Sequence, residues 1–368
     1  YRSVARVSHT RYPAFLFGRP VGRDEIPAFI YHDVDMESFE ADLYFLHDNG
    51  YRTLTTDEFV SSVDQGLCER AVLLTFDDAG QNFFDVTLPL LKKYGAKATV
   101  FAPTYWIGRD TGKSADEMNS GGKFMSWEQL RECSETGLVD IQSHAHRHAL
   151  VHISDSIVNF ATPELLDRQH FYDWPMRWSG GEDMIGPPPL GTPIYSSQPL
   201  LSAPHRLLED PAVFTCCQEF VESEGSRGFF ATKGWRSELT KVYQAARAES
   251  SGPKYLDANA FEELLASEFD LSQQLFLEKL GRKAEHLAFP WMLGSTQSLK
   301  LASERGIKVF FGVGLDFGRV RKLSGQFRAF GRIKGDWLRF LPGRGRLKLS
   351  EVLPDKIKSF FSAQHLAH

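Results

Sequence analysis

Two carboxylates stand side by side at Asp77 and Asp78, in the segment Thr75-Phe76-Asp77-Asp78-Ala79-Gly80. They follow an apolar run, and adjacent acids there are costly unless a positive charge sits between or beside them. Neighbours on a strand point to opposite faces, but at a strand-to-loop turn both can reach one cleft. An Asp that caps the next helix would explain one of the two equally well. A second segment, Ser143-His144-Ala145-His146-Arg147-His148, holds three histidines in five positions. His144 and His148 share one face if the turn is helical, a spacing that suits two imidazole ligands of one metal. Read as a strand, His144, His146 and His148 would share a face instead. With Asp78 as a third ligand, the set would leave coordination positions open for water and substrate. A third segment runs through His286-Leu287-Ala288-Phe289-Pro290-Trp291. Its Pro290-Trp291 pair makes a rigid turn with an aromatic plate on which a sugar ring can stack.

Each of these segments follows a short apolar stretch of strand character. Residues 28–31, 71–76, 98–102, 138–142, 286–289 and 308–311 read as strands, and 327–333 would close a set of about seven. Helical periodicity intervenes at 37–49, through Val86, Leu90 and Leu91 up to Gly95, from Trp127 with Ser126 as N-cap, and at 261–280 and 298–305. This βα alternation predicts an α/β fold, a distorted (β/α) barrel of about seven parallel strands. Catalytic groups then belong at the strands' C-terminal ends. Between 148 and 253 the alternation breaks. Residues 176–205 hold Gly180-Gly181, three consecutive prolines from Pro187 and little periodicity. A stretch without regular structure is expected there, so 149–253 reads as an insertion folded as a lid over the strand C-terminal face, with a separate domain as the alternative. The expected organisation is an N-terminal extension over 1–25, a barrel over 26–335 and a basic segment over 336–368.

Composition bounds the class. The chain has 368 residues, 42% of them hydrophobic and 24% charged, close to globular averages, which excludes disordered and collagen-like chains. Four cysteines (Cys68, Cys133, Cys216 and Cys217) are too few for a disulfide framework and show no zinc-knuckle spacing. From Arg319 onward twelve Lys and Arg face three Asp and Glu, so a C-terminal contact with an acidic polymer or a membrane surface is an expectation. The net charge of −5 and the lack of any nucleic-acid-binding signature exclude nucleic acid as a partner. Sparse cysteines and no recognisable leader suggest the cytoplasm, or the cell envelope if a leader has been removed.

Taken together, the segments resemble the NodB-homology polysaccharide deacetylase family (carbohydrate esterase family 4). Tyr31-His32-Asp33-Val34 looks like the family's opening Tyr-His-x-Val strand end. Thr75-Phe76-Asp77-Asp78 resembles its Thr-Phe-Asp-Asp motif, and Ser143-His144 through His148 its Ser-His-x-x-x-His motif. Phe289-Pro290-Trp291 stands where the family has an aromatic-lined turn. The likeness covers about residues 26–150 and 257–335. It implies Asp77 as general base, Asp78, His144 and His148 as ligands of a divalent metal, and His32, Pro290 and Trp291 as substrate-binding residues. Zinc suits that ligand set best, with cobalt, nickel or iron as alternatives. The implied reaction removes N-acetyl groups from an amino-sugar glycan or a glycolipid precursor. Ala288 stands where many members have Arg, and the family's late Leu-x-His segment has no match. The acid that protonates the leaving amine is therefore sought among His32, His146 and His152, or in a metal-bound water that cycles its own proton. A catalytically inactive sugar-binding protein, or a hydrolase of a linear amide, are the alternatives on the same fold.

Overall fold

The structure is a computed structural model that describes residues 13–23, 25–110, 123–169, 173–179, 182–312, 320–323 and 327–348. The expected N-terminal extension is therefore seen from residue 13 and the basic segment to residue 348. The chain divides into two compact units. One comprises Tyr1–Ala145, Gln273–Met292 and Gly306–His368, the other His146–Ser272 and Leu293–Arg305. The boundary falls inside the histidine-rich loop.

The first unit is built on a ten-stranded sheet. Its strands are β1 (Ala28–Tyr31), β2 (Arg52–Leu54), β3 (Ala71–Phe76), β4 (Ala98–Ala102) and β5 (Val139–Ser143), then, after six strands of the other unit, β12 (His286–Ala288), β13 (Val309–Phe311), β14 (Val320–Leu323), β15 (Phe327–Phe330) and β16 (Ile333–Lys334). The order is β14-β15-β13-β12-β5-β4-β3-β1-β16, with β2 also paired to β3. Every pairing is parallel except β14 with β15. All six residues of β3 are buried, as expected for a strand covered on both faces.

One expectation needs correction here. Residues 327–333 are not one closing strand but two, β15 beside β13 and β16 beside β1. These lie toward opposite ends of the strand order, yet Phe330 and Ile333 are three residues apart and can be separated by no more than about 11 Å. The sheet must therefore curl, and this short link draws its ends together. Ala28 of β1, Leu73 of β3, Phe101 of β4, Ala288 of β12, Phe311 of β13 and Phe330 of β15 accordingly share one buried cluster with Phe59. A flat sheet could not bring them together. The fold is a distorted (β/α) barrel.

Helices α1 (Met36–Asp48), α2 (Thr56–Gln65), α3 (Leu88–Tyr94) and α4 (Trp127–Glu135) link these strands. Their starts are written locally. Asp35 accepts the Ser38 N–H, Thr55 and Glu58 form a reciprocal capping box, and Ser126 with Gln129 forms another. Gly95 closes α3 in the left-handed conformation at φ 60°.

The second unit has its own sheet of β6 (Leu150–Phe160), β7 (Pro175–Ser179), β8 (Glu182–Met184) and β9 (Pro193–Pro199), in the order β8-β7-β6-β9. A short pair, β10 (Leu207–Leu208) and β11 (Lys254–Tyr255), stands apart. Residues 176–205 are thus not without regular structure. Their prolines fall at the ends of β9, at Pro193 and Pro199, in the turn before it, or, at Pro204, in the loop before β10, where a missing N–H costs no ladder bond. Beside α5 (Pro163–Arg168), helices α6 (Pro211–Ser223) and α7 (Trp235–Glu249) bury Val213, Phe214, Cys217, Leu239 and Tyr243 against Phe160 and Tyr195. The long α8 (Ala258–Leu280) runs through the unit boundary, and α9 (Thr296–Glu304) belongs to the second unit. All four cysteines are free thiols. Among the described residues no helix is long and apolar enough to cross a membrane.

Candidate active site

The chemistry-bearing residues follow the C-terminal ends of β3, β5 and β12. Asp77 donates its N–H to the Tyr31 carbonyl at 3.0 Å, prolonging the β1–β3 ladder by one residue. The chain then turns abruptly. Asp78 and Ala79 both adopt positive φ, 69° and 55°. Left-handed backbone costs a non-glycine residue roughly 1–2 kcal/mol. Of the eight described non-glycine residues that bear it, six lie in these three loops: Asp78, Ala79, Ala145, His148, Trp291 and Met292. Such strain persists only where the surroundings over-determine it, and it gathers where geometry serves function.

Asp77 is buried, and so is its partner. Arg332, in the link between β15 and β16, reaches the carboxylate with both terminal nitrogens, Nη1 to Oδ1 at 2.6 Å and Nη2 to Oδ2 at 2.7 Å. Nη1 also donates to Thr75 Oγ1 at 3.1 Å, and the guanidinium lies over the Phe101 ring. Burial alone would push the Asp77 carboxyl up. The Arg332 charge and its two hydrogen bonds, with help from His144 and His32, outweigh it and hold the group down at about 2. Asp77 is therefore ionised at neutral pH.

His144 continues the β4–β5 ladder, its N–H donating to the Ala102 carbonyl at 3.0 Å. Its Nδ1 lies 2.8 Å from the Ala288 carbonyl oxygen. A carbonyl can only accept, so Nδ1 carries the proton and Nε2 faces the carboxylates, 3.6 Å from Asp78 Oδ1 and 3.8 Å from Asp77 Oδ2. The loop then reverses through Ala145 at φ 63° and His148 at φ 50°. The two histidines therefore share no helical face. Two left-handed residues, rather than a helical turn, bring His148 back. Asp78, His144 and His148 each offer a ligand atom, all within 4.8 Å of one another, and all three are buried.

This set fits a divalent cation. Ligand atoms at ~2.0–2.2 Å from a tetrahedral ion lie roughly 3.3–3.6 Å apart. The 3.6 Å between Asp78 Oδ1 and His144 Nε2 matches that span and is too long for a direct hydrogen bond. The Ala288 carbonyl behind Nδ1 fixes the imidazole's tautomer, as outer partners of metal-bound histidines do.

The remaining candidates are distributed unevenly. His32, at the end of β1, places Nε2 3.8 Å from Asp78 Oδ2 with more than half its side chain exposed, which puts it on the rim of the Asp78 group. Pro290 is buried and Trp291 half-buried, in a short turn after β12, the strand beside β5. The backbone N–H of His146 is taken by Glu268. His152, within β6, is locked by Nδ1 to Glu209 Oε1 at 2.6 Å in the second unit. A second Asp/Glu/His group exists at the other end of β12, where Asp57, Glu285 and His286 converge.

Residues 64–168 match the polysaccharide deacetylase family. That stretch makes up less than a third of the chain. It contains Asp77, Asp78, His144 and His148, whereas His32, Pro290 and Trp291 lie outside it. A Bacillus subtilis protein, YxkH, provisionally named a polysaccharide deacetylase, is 34% identical over 134 residues, 34% of this chain and 43% of its own length. The poly-beta-1,6-N-acetyl-D-glucosamine N-deacetylase of Staphylococcus epidermidis is 31% identical over 147 residues, 38% of this chain and 48% of its length. The chain thus spans less than half the length of these curated relatives. A solved deacetylase domain from Bordetella bronchiseptica is similar at 16% identity and a TM-score of 0.49, covering 86% of this chain and 97% of that one.

Outside that stretch, Arg332 is a functional residue that the sequence reading does not single out. Its segment, 327–333, reads as one closing strand, and Ala288 stands where many members of the resembled family have Arg. The available signal was a lone Arg inside an apolar strand pattern, Phe330-Gly331-Arg332-Ile333, which a barrel interior tolerates only beside an acid.

Proposed function

We propose that this chain is a metal-dependent hydrolase that removes acetyl groups from the amino sugars of a polysaccharide, with an N-acetylglucosamine polymer as its substrate class. The observation that carries this reading is a buried, ionised carboxylate, Asp77, held by Arg332 beside a second carboxylate and two imidazoles suited to a cation. The names of the curated relatives support the substrate class.

Asp78, His144 and His148 would hold the metal. When bound, a divalent cation polarises the acetamide carbonyl and lowers the pKa of water in the site. Asp77 accepts the proton of the attacking water, and Arg332 keeps its carboxylate oriented and charged until it does so. The Ala288 carbonyl keeps His144 in the one tautomer that leaves Nε2 available. His32, exposed on the rim, would supply the proton that the departing amine requires. The half-buried Trp291 offers a ring face to the sugar.

The test is acetate and free-amine release from an acetylated β-1,6-linked glucosamine oligomer. D77N should lower kcat by about 10²–10⁴-fold while the metal content stays at that of the wild type. Turnover by D77N equal to that of the wild type would refute the assignment of the base.

A further inference from the structure

Resting on the metal-site reading above, a neighbouring carboxylate gains a role. Glu268 lies mid-way along α8 and is 1% exposed. Its Oε2 accepts two consecutive backbone N–H groups, from His146 at 3.2 Å and Arg147 at 2.8 Å. Its Oε1 accepts from Arg147 Nη1 at 2.5 Å, and that nitrogen also reaches Ser267 Oγ at 3.3 Å. The two N–H groups it takes lie between the two left-handed residues of the loop, Ala145 and His148.

The loop's first half is tied separately. Ser143 Oγ accepts the Ala145 N–H at 3.0 Å, and the Thr104 N–H donates to the Ala145 carbonyl at 3.2 Å. That half carries His144. The second half, which must turn back to present His148, is bound through Glu268. A carboxylate is suited to this task because one oxygen can take both N–H groups while the other holds the arginine, leaving neither N–H unpaired in a buried place.

We propose that Glu268 is a positioning residue for the metal centre. It holds residues 146–147 in the conformation that sets His148 beside Asp78 and His144. It touches neither metal nor substrate and acts through the loop. Groups that orient metal ligands typically govern affinity by about 10–100-fold, which sets the size of the expected effect.

The experiment titrates zinc into the chelator-treated full chain against a chromophoric competing chelator, alongside thermal unfolding and amide exchange. E268L should bind zinc up to about 100-fold more weakly than the wild type. E268Q keeps an oxygen for the two N–H groups but turns an NH₂ toward Arg147. It should be about tenfold weaker, with faster exchange at His146 and Arg147. A merely structural role would lower Tm and leave zinc affinity where it was. E268Q binding zinc within twofold of wild type overturns the proposal, whether or not E268L folds. H144A, measured in parallel, separates the two ideas. If it retains wild-type zinc binding, the metal-site reading fails first and takes the role of Glu268 with it.

Discussion

Strand β12 ends in two groups of nearly the same composition. Past its C-terminal end lie Asp78, His144 and His148, tied to it through the Ala288 carbonyl. At its N-terminal end lie Asp57, Glu285 and His286. On residue types alone both could hold a cation. Their surroundings differ. In the first group all three ligands are buried, Asp77 stands beside it, and Arg332 turns both terminal nitrogens to Asp77. In the second, Asp57 is 70% exposed and already accepts from His286 Nε2 at 2.8 Å, while Glu285 is paired with Lys308 Nζ at 2.5 Å. The Asp57 carboxyl is held below its usual range by the hydrogen bond from His286, against the opposing pull of burial. Both carboxylates of this group are therefore already partnered within the protein. A donor set becomes a site where burial makes its charge costly and the protein supplies too little to balance it.

The largest expected effect comes from removing that balance at the buried end. R332M leaves Asp77 buried and unpaired, which should cost about 3–5 kcal/mol of stability and lower kcat by about 10²–10⁴-fold. Because the Asp77 carboxyl is depressed to about 2 in the folded chain, its contribution is present above the ordinary carboxylate pKa and is lost as pH falls from about 4 toward 2. The wild type should therefore lose stability across that window, and R332M should lack this component. Denaturant unfolding at stepped pH checks both. At the exposed end the same kind of change should do little. D57N is expected to cost less than about 1 kcal/mol, with zinc affinity and kcat unchanged. A loss from D57N as large as that from R332M would erase the distinction between the two groups.

Much of this was legible before the fold was known. The bounds of β1, β3 and β4, and the Ser126 cap, follow from local patterns of apolar residues and capping side chains, which tertiary packing did not override. Asp77, Asp78, His144 and His148 were legible because the motifs are short and sit at strand ends. Arg332 was not. Its partner lies 255 positions away, and its neighbours read as one strand until barrel closure splits them. The strands within 176–205 were hidden by prolines that occupy strand ends and turns, where they interrupt the pattern without breaking the ladder. The sequence left a helical turn and a strand face both open for the histidines, because positive φ at Ala145 and His148 leaves no trace in residue type.

The most direct test is the metal content of the purified chain and its variants, measured by elemental analysis after dialysis against zinc. The account predicts one ion per chain in the wild type and in H286A, and none in H144A. One ion retained in H144A but lost in H286A would place the cation at the wrong end of β12 and contradict it.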